Sequence, residues 1–348
     1  MKFLNISDIR SANVEISTNC NAACPLCPRN YNGYGVRDNF PLRDMSLSEF
    51  CTLLDPVLTH PEFTLSLCGT YGDPCANKHV MDILDYVDTN YPHVEIILSS
   101  NASMKTTTWW ASLARFKNLK IEFALDGLAD THSTYRQNTD WQKVINNATA
   151  FIQAGGYAIW QFIKFEHNTY QFDECKDLSK QLGFAEFKHF NDNRSDGIAF
   201  KPDGTPFMLG TTPQQSISAQ DFVEQEQYLQ RQYENDNQTE YMRDLSVDTI
   251  DCYSQAGNIY VAVNGDIWPC CWLGGTFPMT SDSDNGWQVK KLPLVLNGLE
   301  YSLQEIIDSW SHIENTWTSD QPLSTCTKTC GKCQDYDGMQ PVGVNTIL

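Results

Sequence analysis

The chain has 348 residues, 41% of them hydrophobic, enough for an α/β domain of about 200 residues with a smaller module beside it. Lys and Arg total 24 against 43 Asp and Glu, a formal charge of −19, so the surface repels a phosphate backbone and nucleic acid is a poor substrate candidate. No apolar run approaches the roughly 20 residues that cross a bilayer, and Met1–Asp8 lacks the long apolar stretch of a signal peptide, so a cytoplasmic protein that does not engage a membrane is expected.

The first strand-like run is Val14–Ser17, and a loop with three cysteines follows it. Phe63–Cys68, Val94–Ser99, Leu119–Leu125, Ala158–Phe165 and Ala185–Phe190 also read as buried strands. Between them lie amphipathic helical patterns. Val80, Ile83, Leu84 and Val87 share one face of Ala76–Tyr91, and Trp141, Val144, Ile145, Ala148 and Ile152 share one face of Trp141–Ala154, with Gly155-Gly156 as the stop. This alternation predicts parallel strands with crossover helices, closing wholly or partly into a barrel whose ligands bind at the C-terminal strand ends. Asn191–Thr212 reads as loop and Ala219–Asn235 as a polar helix, so residues 1–200 form the core and 201–250 a connection. A second module, 251–348, opens with a hairpin in which Asn258–Val263 and Asp266–Cys270 flank an Asn264-Gly265 turn.

Thirteen cysteines in a chain without a secretory signature point to metal or cluster ligation rather than disulfides. Cys20, Cys24 and Cys27 can cap three corners of a cubane cluster and leave the fourth iron open to an exogenous ligand. Zinc is the competing occupant, but a structural zinc needs a fourth protein ligand, and none lies nearby in the sequence. The second group is Cys252, Cys270, Cys271, Cys326, Cys330 and Cys333, for which a zinc knuckle stays open as an alternative. Cys51, Cys68, Cys75 and Cys175 read as small buried hydrophobes.

The segment Cys20-Asn21-Ala22-Ala23-Cys24-Pro25-Leu26-Cys27-Pro28-Arg29 resembles the CxxxCxxC signature of the radical S-adenosylmethionine (SAM) superfamily. The resemblance implies an α/β fold: a partial (β/α)6 TIM-like barrel, then a small β-hairpin-plus-helix domain of the twitch type. It implies a [4Fe–4S] cluster on the three cysteines, with SAM chelated at the open iron and cleaved to methionine and a 5′-deoxyadenosyl radical. Leu26 stands where the family usually has an aromatic residue, and would pack beside the cluster and adenine. Gly69-Thr70-Tyr71-Gly72-Asp73-Pro74 resembles the GGEP motif, which assigns Gly72, Asp73 and Pro74 to the SAM amino group. Ser99 and Asn101 occupy the position of the Thr-Asn-Gly segment, and Asp126-Gly127 with Tyr135-Arg136 matches a DG…YR pattern that assigns Arg136 to the SAM carboxylate.

Cys252, Gly265 and Cys270 resemble the opening of SPASM and twitch domains, which implies an auxiliary [4Fe–4S] cluster on Cys252, Cys270, Cys330 and Cys333, with Cys326 as the alternative ligand. Polar residues at the strand ends are expected to face a substrate cavity: Tyr71, Lys164, Asn191 and Arg194, with Glu166, His167 and His189 as candidate bases. The resemblance implies an oxidoreductase that removes a substrate hydrogen and passes the remaining electron to the auxiliary cluster, as in a family dehydrogenase that oxidises an aminocyclitol alcohol. Peptide or protein modification is the alternative, and a non-catalytic zinc or iron–sulfur protein the third reading. A small-molecule or peptide substrate and a one-electron reductant such as flavodoxin or ferredoxin are the expected partners.

Overall fold

The apolar runs of the first two hundred residues fold as six parallel strands: β1 (Ser11–Val14), β2 (Thr64–Leu67), β3 (Glu95–Ser100), β4 (Leu119–Ala124), β5 (Tyr157–Lys164) and β6 (Glu186–Asn191). Each pairs with its successor in order. A computed structural model of the chain describes residues 4–38, 40–191, 198–201, 203–209, 218, 220, 221, 223, 224, 227, 249–274, 292–319, 322–333, 336, 337 and 345–347. Arg194 and most of Ala219–Asn235 lie outside the described residues.

The crossovers are helical. α1 (Leu47–Leu58), on which the sequence reading was silent, starts at a capping box: Glu49 N donates to Ser46 Oγ at 3.3 Å, and Ser46 N donates to the Glu49 carboxylate at 2.8 Å. α2 (Val80–Asn90) buries the expected Val80, Ile83, Leu84 and Val87, but begins four residues late because Pro74–Ala76 forms a separate turn capped by Asp73. α3 (Thr107–Ser112) and the single turn α4 (His132–Tyr135) lead to α5 (Trp141–Gln153), which buries Val144, Ile145, Ala148 and Phe151. α6 (Phe172–Leu182) closes the series on Gly183, at φ 86°.

Strand alternation separates two faces. Val14, Leu65, Leu67, Ile96 and Leu98 are buried on the helix side, where Trp110, Phe123, Phe151 and Trp160 fill the core. The other face carries polar residues: Asn13, Ser66, Ser99, Glu122, Gln161 and Lys188. Ser99 Oγ donates to Glu122 at 2.5 Å and Lys188 Nζ to the same carboxylate at 3.1 Å.

Two departures concern the C-terminal part. Within the segment read as loop, β7 (Ile198–Phe200) and β8 (Pro206–Met208) pair as a short antiparallel hairpin, turned through Gly204 at φ 83°. β9 is Thr249–Ile250, and the predicted hairpin is present as β10 (Asn258–Val261) and β11 (Ile267–Trp268) about Gly265 at φ 94°. The hairpin is not set apart from the core, because β10 pairs in parallel with β1, Asn13 opposite Tyr260. The division at residue 251 is therefore no break in the sheet. β12 (Gly331–Cys333) joins β9 and β13 (Tyr336–Asp337), and β14 (Asn345–Ile347) returns to pair with β6. The result is a nine-stranded sheet in the order β11-β10-β1-β2-β3-β4-β5-β6-β14. Among the described residues its edge strands β11 and β14 do not pair, so the barrel is partial, as expected. Among the described residues no helix is long and apolar enough to cross a membrane.

Candidate active site

Beyond β1 the backbone is pinned at the C-terminal mouth of the sheet. Glu15 N donates to Val261 O at 2.9 Å, Thr18 N to Arg43 O at 3.0 Å, and Asn77 Nδ2 to Ile16 O at 2.6 Å. The three-cysteine loop is then folded by Ala23 N on Gln137 O at 2.9 Å and Cys27 N on Cys24 O at 3.1 Å. Cys20, Cys24 and Cys27 all line one cavity of about 310 Å³, within the size range of ligand sites. Burial raises all three thiols, Cys27 to about 12, and neighbouring thiols add to the effect at Cys20 and Cys27. A cationic iron centre reverses that preference, since a coordinating thiol is deprotonated outright. Three clustered thiols with ligand-sized space in front of them fit a [4Fe–4S] cluster with an exogenous ligand.

The loop after β2 forms the facing wall. Gly69 and Gly72 are packed against backbone, and a Cβ on Gly72 would lie 2.0 Å from Ser17 O. Asp73 lines the cavity but is already well partnered. Its carboxylate accepts from Cys75 N at 2.9 Å, Ser100 Oγ at 2.9 Å and Asn101 N at 2.8 Å, tying the β2 loop to the β3 loop. Asn101 Nδ2 in turn donates to Asn21 Oδ1 at 3.0 Å. Behind this wall lies Glu15, 1% exposed, which accepts from Tyr71 N at 2.6 Å, Gly72 N at 3.0 Å and Tyr260 OH at 2.8 Å. Burial raises its carboxyl to about 7 in spite of these donors.

Opposite, Arg136 lines the cavity with its Nε 2.6 Å from the Asp126 carboxylate. Asp126 is fully buried and also accepts from Ile163 N at 2.6 Å. His132, behind this pair, donates or accepts through Nε2 to Thr139 at 3.0 Å, and burial lowers its pKa to about 3, so it is neutral. The cavity thus offers the Arg136 guanidinium and the Asp73 carboxylate, which match the carboxylate and ammonium of an amino acid.

The structure brings Cys20, Cys24, Cys27, Gly72, Asp73 and Ser99 to one cavity, with Asn101 and Arg136. Asp126 and Pro74 support it from behind, and Leu26 packs with Cys24, Tyr135 and Phe165. Tyr71 lines the cavity as expected, and so does Cys68, which was read as a plain hydrophobe. Glu166 and His167 do not line it: Glu166 is exposed, and His167 stacks on Phe165 at 5.3 Å. His189 and Lys164 also miss the cavity. They pack on Phe172, His189 edge-on at 5.0 Å and Lys164 Nζ 3.7 Å above the ring. Gln161, Arg29 and Glu15 were not singled out from the sequence, although Arg29 adjoins the cysteine motif and Glu15 is a carboxylate within an apolar strand.

In the second group, Cys252, Cys270, Cys326 and Cys330 line a separate apolar cavity against Trp317 and Ile313. Cys326, the alternative ligand, is therefore the fourth thiol found with the other three. The Cys333 side chain lies outside the described residues. Burial raises Cys252 to about 11 and Cys326 to about 12. The donor types suit a cluster or zinc, but the space is only about 20 Å³, so a cluster requires these segments to part. Among the described residues no three His, Cys, Asp or Glu side chains are gathered closely enough to hold a single metal ion.

No family model matches the chain, and no curated protein matches it. Solved structures do. Streptococcus suis SuiB matches at a TM-score of 0.56 and 13% identity over 90% of this chain, which spans 66% of SuiB. Histidine-tagged anSMEcpe with bound AdoMet matches at 0.57 and 14% identity, covering 97% of this chain and 90% of that one. SuiB bound to the precursor peptide SuiA matches at 0.52 and 14% identity, covering 91% of this chain and 76% of that one. At these identities the likeness is one of fold, and the fold of this chain is that of the radical SAM enzymes.

Proposed function

We propose that the chain is a radical SAM enzyme. The observation that carries this reading is the gathering of Cys20, Cys24 and Cys27 on one cavity with the Gly72–Asp73 loop and Arg136. When bound, the cluster supplies the single electron that splits SAM into methionine and a radical able to remove a substrate hydrogen atom. Arg136, held in orientation by Asp126, binds the carboxylate of SAM. Asp73 and the Gly72 backbone bind its amino group, at the cost of sharing a carboxylate already engaged by Ser100 and Asn101. Burial of the walls excludes water from the cavity and protects a reactive intermediate.

The finer reading is oxidation of the substrate, with a second [4Fe–4S] cluster on Cys252, Cys270, Cys330 and either Cys326 or Cys333 as electron acceptor. Cys326 is favoured because it shares a cavity with the other three thiols. An external one-electron reductant of the flavodoxin or ferredoxin kind and a cytoplasmic setting belong to this reading. Modification of a peptide is the second reading, supported by the peptide-bound neighbours SuiB with SuiA and anSMEcpe with the Cp18Cys peptide.

The test is anaerobic reconstitution followed by iron analysis and incubation with dithionite and SAM. The expected result is release of 5′-deoxyadenosine by the wild type, and for Cys24→Ala a loss of about four irons per chain with no 5′-deoxyadenosine. An unchanged iron content in Cys24→Ala refutes the assignment.

A further inference from the structure

The cavity wall contains buried hydrogen-bond donors that no described residue satisfies. Tyr71 is 2% exposed, and its hydroxyl has no partner among the described residues although it lies in the wall shared with the three thiols. Arg29 lines the same cavity, and its buried Nε also lacks an acceptor. An unsatisfied buried donor destabilises a fold unless a guest supplies its acceptor. Two of them in one wall mark a place where an electron-rich guest supplies the acceptors.

The position of Tyr71 is built rather than incidental. Its backbone N–H is held by Glu15 at 2.6 Å, the Gly72 N–H beside it by the same carboxylate, and its ring packs on Phe40 at 5.3 Å. Burial raises the phenol, and the charges of Glu15 and a Cys27 thiolate raise it further, so it keeps its proton and remains a donor. Of the three thiols on this cavity, Cys27 is the one whose charge bears on the phenol.

Building on the radical SAM reading, we propose that Tyr71 donates a hydrogen bond to the sulfur of the cluster held by Cys20, Cys24 and Cys27, and thereby raises its reduction potential. A cluster gains negative charge on reduction, so a donor to its sulfur favours the reduced state, and hydrogen bonds to sulfur are among the factors that set cluster potentials. The role is one of tuning. Tyr71 does not ligate iron.

The experiment compares wild type and Tyr71→Phe, each reconstituted anaerobically, by redox titration monitored by electron paramagnetic resonance, with and without SAM. Expected is equal iron content and a potential lower in Tyr71→Phe by about a tenfold change in the reduction equilibrium, close to 59 mV for one electron, already present without SAM. In the wild type, deuterium exchange should reveal an exchangeable deuteron coupled to the reduced cluster, and Tyr71→Phe should lose it. An unchanged potential overturns the inference, as does a shift seen only with SAM, which would make SAM the acceptor. A Tyr71→Phe chain that fails to fold also overturns it, because the hydroxyl would then have a partner within the protein. Absence of a cluster in the wild type would instead sink the functional reading itself.

Discussion

Removing the Asp126 carboxylate tests the physical core of the proposed SAM site. Asp126 is fully buried, Arg136 has a side chain 15% exposed, and their contact is 2.6 Å. Truncating one partner of such a pair leaves an uncompensated buried charge and costs about 3–5 kcal/mol. Asp126 also accepts from Ile163 N, and orphaning that donor adds to the loss by about 1–3 kcal/mol if nothing relaxes. We therefore expect Asp126→Ala to lower the unfolding free energy of the metal-free chain by about 4 kcal/mol, with a melting temperature lower by on the order of 10 °C. Urea denaturation measures this through a lower midpoint at unchanged slope. Asp126→Leu combined with Arg136→Met removes both charges and should recover much of the loss, so the cycle separates the pair from packing. A midpoint for Asp126→Ala within about 1 kcal/mol of wild type would show that the ion pair does not anchor Arg136.

Three further outcomes follow from other parts of the site. Gly72→Ala places a methyl 2.0 Å from Ser17 O, and relieving that clash should cost about 1–3 kcal/mol, seen as roughly ten- to hundredfold weaker SAM binding in equilibrium dialysis of the reconstituted chain. Glu15 has a folded pKa of about 7 against an ordinary 4.5. Its contribution to stability is therefore complete below pH 4.5 and lost as pH rises through 7, and Glu15→Gln should remove about 3 kcal/mol of pH dependence between pH 5 and 8 in denaturation titrations. Parallel curves for the two chains would mean that Glu15 is not held in a dry site. For the second cysteine group, Cys326→Ala should lower the reconstituted metal content while Cys271→Ala leaves it unchanged, because only Cys326 shares the cavity of Cys252, Cys270 and Cys330.

Much of the architecture was legible because the inner strands carry short, largely apolar stretches and the crossovers α2 and α5 a 3.6-residue period. β1 was placed three residues late, since Glu15, Ile16 and Ser17 look strand-like but spend their backbone groups on Val261, Met45, Asn77 and the loop at Asp44. β7 and β8 were hidden by Asn, Asp, Gly and Pro around a three-residue apolar core. The predicted residues that line the cavity follow the strand-end rule, which needs only the order of elements. The candidates at the end of β5 lie off this cavity for a geometric reason. Gln161 and Ile163 face the cavity, so strand alternation turns Lys164 to the other side. Asn168 then accepts from Phe165 N at 2.8 Å and turns the chain away, carrying Glu166 and His167 with it.

Glu15 and Tyr260 lie 245 residues apart, and no local pattern announces that one hydroxyl donates to the other residue's carboxylate. Their meeting follows from β10 entering the sheet beside β1. That register sets Tyr260 opposite Asn13, within reach of the carboxylate that holds the Tyr71 and Gly72 amides. The C-terminal hairpin thereby supports the loop of the proposed SAM site, and a chain cut near residue 250 would lose an inner strand and the Tyr260 contact together. A sequence reading divides such a protein where its composition changes. The hydrogen bonds run across that boundary, because Glu15, which holds the Tyr71 and Gly72 amides behind the cavity wall, also accepts from Tyr260.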